Sequence, residues 1–256
     1  MTKVLILGDS HGYAPFISNI HAKARELGVT KIVQLGDFGY NFDRNVLESI
    51  RSWLDRDPEH EWFWIDGNHD EHDYIEQHIL KLDWPGYPVP HFHDRMYYCH
   101  RGSTTFIGSK RCLFLGGAYS IDKEYRTQYI SWWPQEMIRQ MDVHRALENT
   151  EGRKTDVMFT HDAPNSPKLI DWLKSDGYKI DPFSSENRAA LSYVVDMVRP
   201  TDLYHGHFHH RYEAPYYGPD GWRTQVHGVG ANIDETTFRV DNTAKYNVNY
   251  IVEEWQ

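Results

Sequence analysis

Short apolar runs alternate with stretches of helical spacing over the first seventy residues. Val4-Leu5-Ile6-Leu7 is a strand pattern that ends in Gly8-Asp9. Ala14 to Leu27 places Phe16, Ile17, Ile20, Ala24 and Leu27 on one helical face, with Gly28 as C-cap. Lys31 to Leu35 is a second apolar run, followed by Gly36-Asp37. Asp43 is placed to cap a helix carrying Val46, Leu47, Ile50 and Leu54. Glu61 to Ile65 is a third run, leading into Asp66-Gly67-Asn68-His69. This βαβαβ order predicts a parallel sheet.

Beyond residue 90 the pattern shortens. Met96 to Cys99, Thr104 to Ile107 and Cys112 to Leu115 read as strands with glycine turns between them. A helix is expected from Glu136 to Leu147, behind Trp133-Pro134. Asp156 to Thr160 and Asp202 to Tyr204 read as strands, with a helix from Ser185 to Val198 between them. Trp222 to Val229, Thr236 to Val240 and Val248 to Val252 are the last strand patterns. Asp162 to Asp181, rich in Pro, Lys, Asp and Ser, reads as a surface excursion. With no repeat and no linker, the 256 residues are expected to form one domain.

Composition narrows the class. With 9 Trp, 17 Tyr and 11 Phe, the chain has the means to fill a core. No apolar run approaches the roughly 18 residues of a membrane span. The strand pattern starts directly after Met1-Thr2-Lys3, so no signal peptide is expected. Two cysteines make no disulfide framework, so a reducing cytoplasm is the expected compartment. A net charge of −10 argues against an extended nucleic-acid groove, but not against a small nucleotide. Sixteen histidines are the figure to follow, because imidazole is both metal ligand and proton carrier.

The histidines cluster. Five polar groups stand just after predicted strands: Gly8-Asp9-Ser10-His11-Gly12, Gly36-Asp37, Gly67-Asn68-His69-Asp70, Thr160-His161-Asp162 and Gly206-His207-Phe208-His209. In open α/β sheets, ligands bind at the carboxyl ends of the strands. Each group alone is an ordinary turn or a surface histidine. Together they offer carboxylate, imidazole and amide oxygen without thiolate, a set that suits Mn, Fe, Zn or Ni.

In this order the groups resemble the calcineurin-like metallophosphoesterases. The resemblance spans Asp9 to His209 and implies a four-layer α/β/β/α sandwich of two mixed sheets flanked by helices. It further implies two divalent metal ions, Mn foremost. By motif, one ion takes Asp9, His11 and His209, and the other takes Asn68, His161 and His207, with Asp37 bridging. His69 would stand at the leaving group and Asp70 would orient it. A phosphate ester resists hydroxide because it is anionic, and two cations relieve that repulsion. The implied activity is hydrolysis of a small phosphate ester, with a phosphodiester of nucleotide type favoured.

Ser/Thr protein phosphatases and dinucleoside polyphosphate hydrolases share the first motif. They follow the second Gly-Asp with an Arg-containing run, whereas here Phe38-Gly39-Tyr40 follows. The chain is more similar to the small prokaryotic and phage phosphodiesterase-like branches. A non-catalytic metal-binding scaffold would have lost ligands, and none of the seven is missing. His-x-His-x-Asp-His, the metallo-β-lactamase run, does not occur. For substrate contacts the candidates are Arg126 and, in the decoy run His91-Phe92-His93, His93. Tyr13, Tyr40 and Trp133 are candidates to stack on an aromatic substrate group.

Overall fold

The computed structural model describes residues 1–39, 44–79, 86–178, 180–232 and 249–255. The first half follows the hydrophobic pattern. Strand β1 (Thr2–Leu7), helix α1 (Ala14–Leu27), strand β2 (Lys31–Gln34), helix α2 (Arg44–Leu54) and strand β3 (Glu61–Trp64) come in the expected order. Helix α1 stops at Gly28, whose left-handed φ of 67° lets its N–H return to Ala24 and Arg25. The expected cap Asp43 lies outside the described residues. A short helix α3 (His72–Tyr74) runs into a π-helical turn ending at Ile79.

Strands β4 (Val89–His91) and β5 (His93–Tyr98) complete one sheet, and β6 (Thr104–Ile107) and β7 (Lys110–Leu115) begin another. Then follow α4 (Gln140–Thr150), β8 (Val157–Thr160), α5 (Pro167–Ser175), α6 (Pro182–Val198), β9 (Asp202–His205), β10 (Tyr212–Tyr217), β11 (Arg223–Gly228) and β12 (Tyr250–Trp255). The strand orders are β12-β1-β2-β3-β5-β4 and β10-β11-β9-β8-β7-β6. In each sheet four parallel strands lie between antiparallel edges.

Three apolar layers make this a four-layer α/β/β/α sandwich. Leu5, Leu7 and Ile32 pack outward against Phe16, Ile17 and Ile50 of α1 and α2. Val4, Ile6 and Val33 face Phe114, Phe159 and Tyr204 of the second sheet. Leu113, Met158 and Leu203 pack outward against Leu191, Val194 and Val195 of α6. The alternation along β1, one face to helices and the next to the opposite sheet, explains a strand apolar throughout.

Several expectations are corrected. The helix expected from Glu136 starts at Gln140, because the Glu136 carboxylate is buried and accepts from Ser120 Oγ and Trp133 N. The excursion from Asp162 to Asp181 contains α5, capped by Ser166 and anchored by Leu169 and Leu173. Strand β10 has no clean signature in the sequence because Pro215 interrupts it, which an edge strand tolerates. Cys99 and Cys112 belong to opposite sheets and meet in the shared core, buried and free. Thr236 to Val240 lies outside the described residues, while β12 completes the first sheet beside β1. None of the described helices is long and apolar enough to cross a membrane.

Arg101, on the crossing from the first sheet to the second, is buried. Its Nε and Nη2 donate to Asp66 Oδ2 at 2.9 and 2.6 Å, and Nη1 and Nη2 reach Met137 O and Glu136 O. Tyr98 Oη donates to Asp66 Oδ1 at 2.8 Å. One guanidinium thus ties the end of β3 to the approach to α4. Removing it strands a buried carboxylate, a defect that costs about 3–5 kcal/mol. Arg101→Met is expected to lose stability on that scale in urea unfolding, and a loss below about 1 kcal/mol would contradict the assignment.

Candidate metal centre

The parallel strands end level with one another. Leu7 pairs with Gln34 and Gln34 with Trp64, while Thr160 pairs with His205. The chain positions just beyond these ends therefore emerge along one edge of the sandwich. Asp9, Asp37, Asn68, His161 and His207 all arise there. The backbone is bent hard to bring them in. Among the described non-glycine residues, φ is positive at His11 (45°), Asp37 (50°), His207 (65°) and His209 (51°), and at three others. Such residues cost about 1–3 kcal/mol each and persist where the surroundings hold them. Close approach also demands glycine: a Cβ on Gly67 would lie 2.1 Å from Asp37 Oδ1, and one on Gly206 2.2 Å from Asp9 Oδ1.

Asp37 is the hub. Its Oδ1 lies 3.3 Å from His161 Nε2 and accepts the His69 N–H at 2.7 Å. Its Oδ2 lies 3.6 Å from His11 Nε2 and 4.0 Å from His69 Nε2. Asp9 Oδ2 is 3.1 Å from His209 Nε2, and both Asp9 oxygens accept the His207 N–H at 3.1 Å. His161 Nε2 is also 3.1 Å from Asn68 Oδ1, and its ring lies 5.1 Å from that of His207.

The surroundings aim these donors. His161 Nδ1 donates to Leu35 O at 2.7 Å, which points Nε2 at the centre as the nitrogen that can ligate once deprotonated. Asn68 Nδ2 donates to Ser120 Oγ, and Ser120 Oγ donates to Glu136 Oε2 at 2.6 Å, so the Asn68 carbonyl oxygen faces inward. His11 Nδ1 is 2.9 Å from Asn232 Oδ1, while Asn232 Nδ2 donates to Ser10 O. Sequence reading missed Ser120, Glu136 and Asn232. No spacing marks them, because each reaches the centre through another side chain.

Electrostatics explains how two buried carboxylates coexist. Burial alone would raise Asp37, but His161 and His69 hold its carboxyl well below the usual range. Burial opposes charge on His161 as well, and Asp37 overcomes it, raising the imidazole to about 10. For His11 the same balance gives about 9. Burial and the neighbouring His161 depress His207 to about 3. Without metal, protons on His11 and His161 supply the positive charge.

The donor set fits divalent ions. Ligand atoms of Asp9, His11 and His209 lie within 4.8 Å of one another, as do those of Asp9, Asp37 and His161. All are nitrogen or oxygen, and none is a thiolate. Arg126 joins the site: its Nη2 donates to His69 Nε2 at 2.7 Å and to Asp122 Oδ2 at 2.8 Å. A cleft of about 300 Å³ opens beside these groups.

Two expected roles fall elsewhere. Asp70 does not reach toward His69. Its buried oxygens accept from the N–H groups of Phe38, Gly39 and Gly67, so the carboxylate splices the Asp37 loop to the Asn68 loop. Burial, with Asp37 close by, pushes its pKa up to about 6. His93 begins β5, so it sits at the opposite edge from the strands' carboxyl ends, 3.3 Å from Asp55. Trp133 is buried against His72, and Tyr13 is part-exposed before α1. Tyr40 lies outside the described residues.

A centre of paired carboxylates and imidazoles at the strand ends of an α/β/β/α sandwich defines a metal-dependent hydrolase class. The calcineurin-like phosphoesterase family model matches residues 2–223, and the chain belongs to that family. It is a hydrolase acting on phosphate esters, in a family that depends on a dinuclear metal centre. Among solved structures it is similar to TT1561 of Thermus thermophilus, at 12% identity and a TM-score of 0.52. That alignment covers 90% of this chain and 89% of the other. A dimetal phosphatase from Danio rerio aligns over 90% and 87%, at 13% identity and a TM-score of 0.46. No curated protein sequence matches the chain.

The splice role of Asp70 separates cleanly from an orienting one. Asp70→Ala leaves three buried N–H groups without acceptors, at about 1–3 kcal/mol apiece. Chemical unfolding is expected to show a loss of about 3 kcal/mol or more. Full stability with lost turnover would return Asp70 to the service of His69.

Proposed function

We propose that the chain is a dinuclear metallophosphoesterase that prefers phosphodiesters. One ion would be held by Asp9, His11 and His209, the other by Asn68, His161 and His207, with Asp37 shared. The observation that carries this reading is the Asp37 carboxylate, whose two oxygens face different imidazoles, His161 at 3.3 Å and His11 at 3.6 Å. Two bound ions would supply Lewis acidity toward the phosphoryl oxygens and toward the attacking water. Manganese is our choice for both, on the basis of hard oxygen donors combined with imidazole. The two buried, free thiols fit a cytoplasmic setting.

The chain's own residues do the rest. Asp9 and Asp37 hold negative charge in a buried place, which sets up a strong site for cations. Asn68 offers an oxygen with no charge, which leaves the centre more attractive to phosphate. Arg126 brings a guanidinium to the rim, where its fork can take phosphoryl oxygens. Burial lowers the His69 imidazole, so it rests neutral with Nε2 accepting from Arg126. When phosphate draws Arg126 away, that nitrogen is free to take a proton from solvent, which it would then hand to the departing oxygen. Asp122 and Asp181 also line the cleft.

With Mn²⁺, bis-p-nitrophenyl phosphate is expected to turn over faster than p-nitrophenyl phosphate, and Asp37→Asn should abolish both. Monoester turnover alone would overturn the diester preference. Asp37→Asn retaining wild-type turnover with full metal content would overturn the centre itself. Metal loading also has a proton signature. With His11 at about 9 and His161 at about 10, both are charged at pH 7 in the metal-free protein. Both must lose a proton to bind metal, so about two protons are released per loaded chain. Titration calorimetry in buffers of different ionisation enthalpy measures that number, and zero release would contradict the ligand roles.

A further inference from the structure

The cleft continues past the candidate metal centre, and its character changes. Its lining includes Asp37, Asn68, His69, His207 and His209 of the candidate centre. Apolar side chains line it too, beside charged ones. They are Tyr119 and Ile121, from the loop after β7, and Leu173, Tyr178 and Ile180, from the end of α5 and the segment after it. Ile121 is 61% exposed and Tyr178 47%, although each stands beside a charged site. Exposed apolar side chains at the mouth of a polar cleft mark a place that an apolar group covers.

The walls are fixed. Phe208, between His207 and His209, packs edge-on against Trp172 of α5, with ring centres 6.3 Å apart. Trp172 stacks in turn on His210 at 4.3 Å. On the other side Tyr119 stacks on Phe183 at 5.6 Å, and Lys123 Nζ lies 5.0 and 4.8 Å from those two rings. The loop that carries the candidate ligands is therefore packed against the same helix that builds one wall. A group lying between the walls has its position set relative to the metal centre.

Arg188 supplies the polar feature. It lines the cleft and is 1% exposed. Its Nε donates to Asn165 Oδ1 at 3.0 Å, Nη2 to Ser185 Oγ at 3.2 Å, and Nη1 to Ser184 Oγ. These acceptors are neutral, and they use three of the five guanidinium N–H groups. Among the described residues no carboxylate forms an ion pair with it, and the buried Asp162 acts on it only through the longer-range field. A buried guanidinium with donors to spare suits a ring that carries carbonyl or ring-nitrogen acceptors.

We propose that this part of the cleft is a nucleobase subsite, and that the natural ester is a nucleotide. The proposal rests on the phosphoesterase reading above and adds its substrate class. A flat heterocycle would lie between Ile121 and Tyr178, with its polar edge toward Arg188 and its phosphate toward the metal centre. The volume of about 300 Å³ is at the lower end for pockets that enclose a small organic ligand. That favours one base over a dinucleotide.

The test compares 5′-AMP, 5′-CMP and ribose 5-phosphate as ligands of the manganese-loaded protein by titration calorimetry. All three share phosphate and sugar, and only the first two carry a base. At least tenfold tighter binding of one nucleotide over ribose 5-phosphate is expected. In Ile121→Ser/Tyr178→Ser that preference should fall below threefold. Both positions are exposed, so the substitutions spare the core. Equal affinities for all three ligands, or a preference untouched by the double substitution, would overturn the subsite. Failure of the phosphoesterase reading looks different: neither nitrophenyl ester would then turn over with Mn²⁺.

Discussion

Two carboxylates withdrawn from water, Asp9 and Asp37, set the terms for this molecule. Burial makes negative charge costly, so each must be answered by hydrogen-bond donors and by positive charge close at hand. The fold answers with imidazoles from four distant chain segments. His11 comes from the first strand's end, His69 from the third, His161 from the second sheet's β8, and His209 from the turn after β9. Backbone donors complete the set, with His207 N on Asp9 and His69 N on Asp37. A protein built only for stability would place neutral groups there, so the arrangement makes sense as a place for cations.

Holding that cluster has a structural cost, which the surrounding sandwich bears. Four ligand-type residues sit at positive φ, and glycines at 67 and 206 make room where a methyl group would collide. The stiffness comes from hydrogen bonds one step out. Asp70 binds the Asp37 loop to the Asn68 loop through three N–H groups. Arg101 secures the end of β3 through Asp66. Glu136, Ser120 and Asn232 fix the rotation of Asn68 and His11. Donors held in this way meet a metal or a phosphate with little reorganisation, which is where electrostatic catalysis draws its strength.

Much of this was legible in the sequence. The period of apolar residues marked β1 to β3 and α1 because those elements pack locally and obey one period each. The polar clusters after the strands marked the site because strand ends converge in a parallel sheet. Other features depended on tertiary context. Pro215 hid β10, since only the edge position makes a proline acceptable there. His93 resembles the His207-Phe208-His209 turn in sequence, but it begins its strand and so emerges at the wrong edge of the sheet. Asp70 stands beside His69 in sequence, yet backbone donors claim its oxygens. Arg126 was a candidate from the sequence as a loop arginine after a strand, but its place against His69 depends on the fold of its loop.

The central claim is that Asp37 stands between two metal ions. Crystals grown with Mn²⁺ and measured for anomalous scattering test it most directly. Two anomalous peaks about 3.5–4 Å apart, flanking Asp37, are expected. One would be bounded by Asp9, His11 and His209, the other by Asn68, His161 and His207. A single peak, or peaks away from Asp37, would contradict the account.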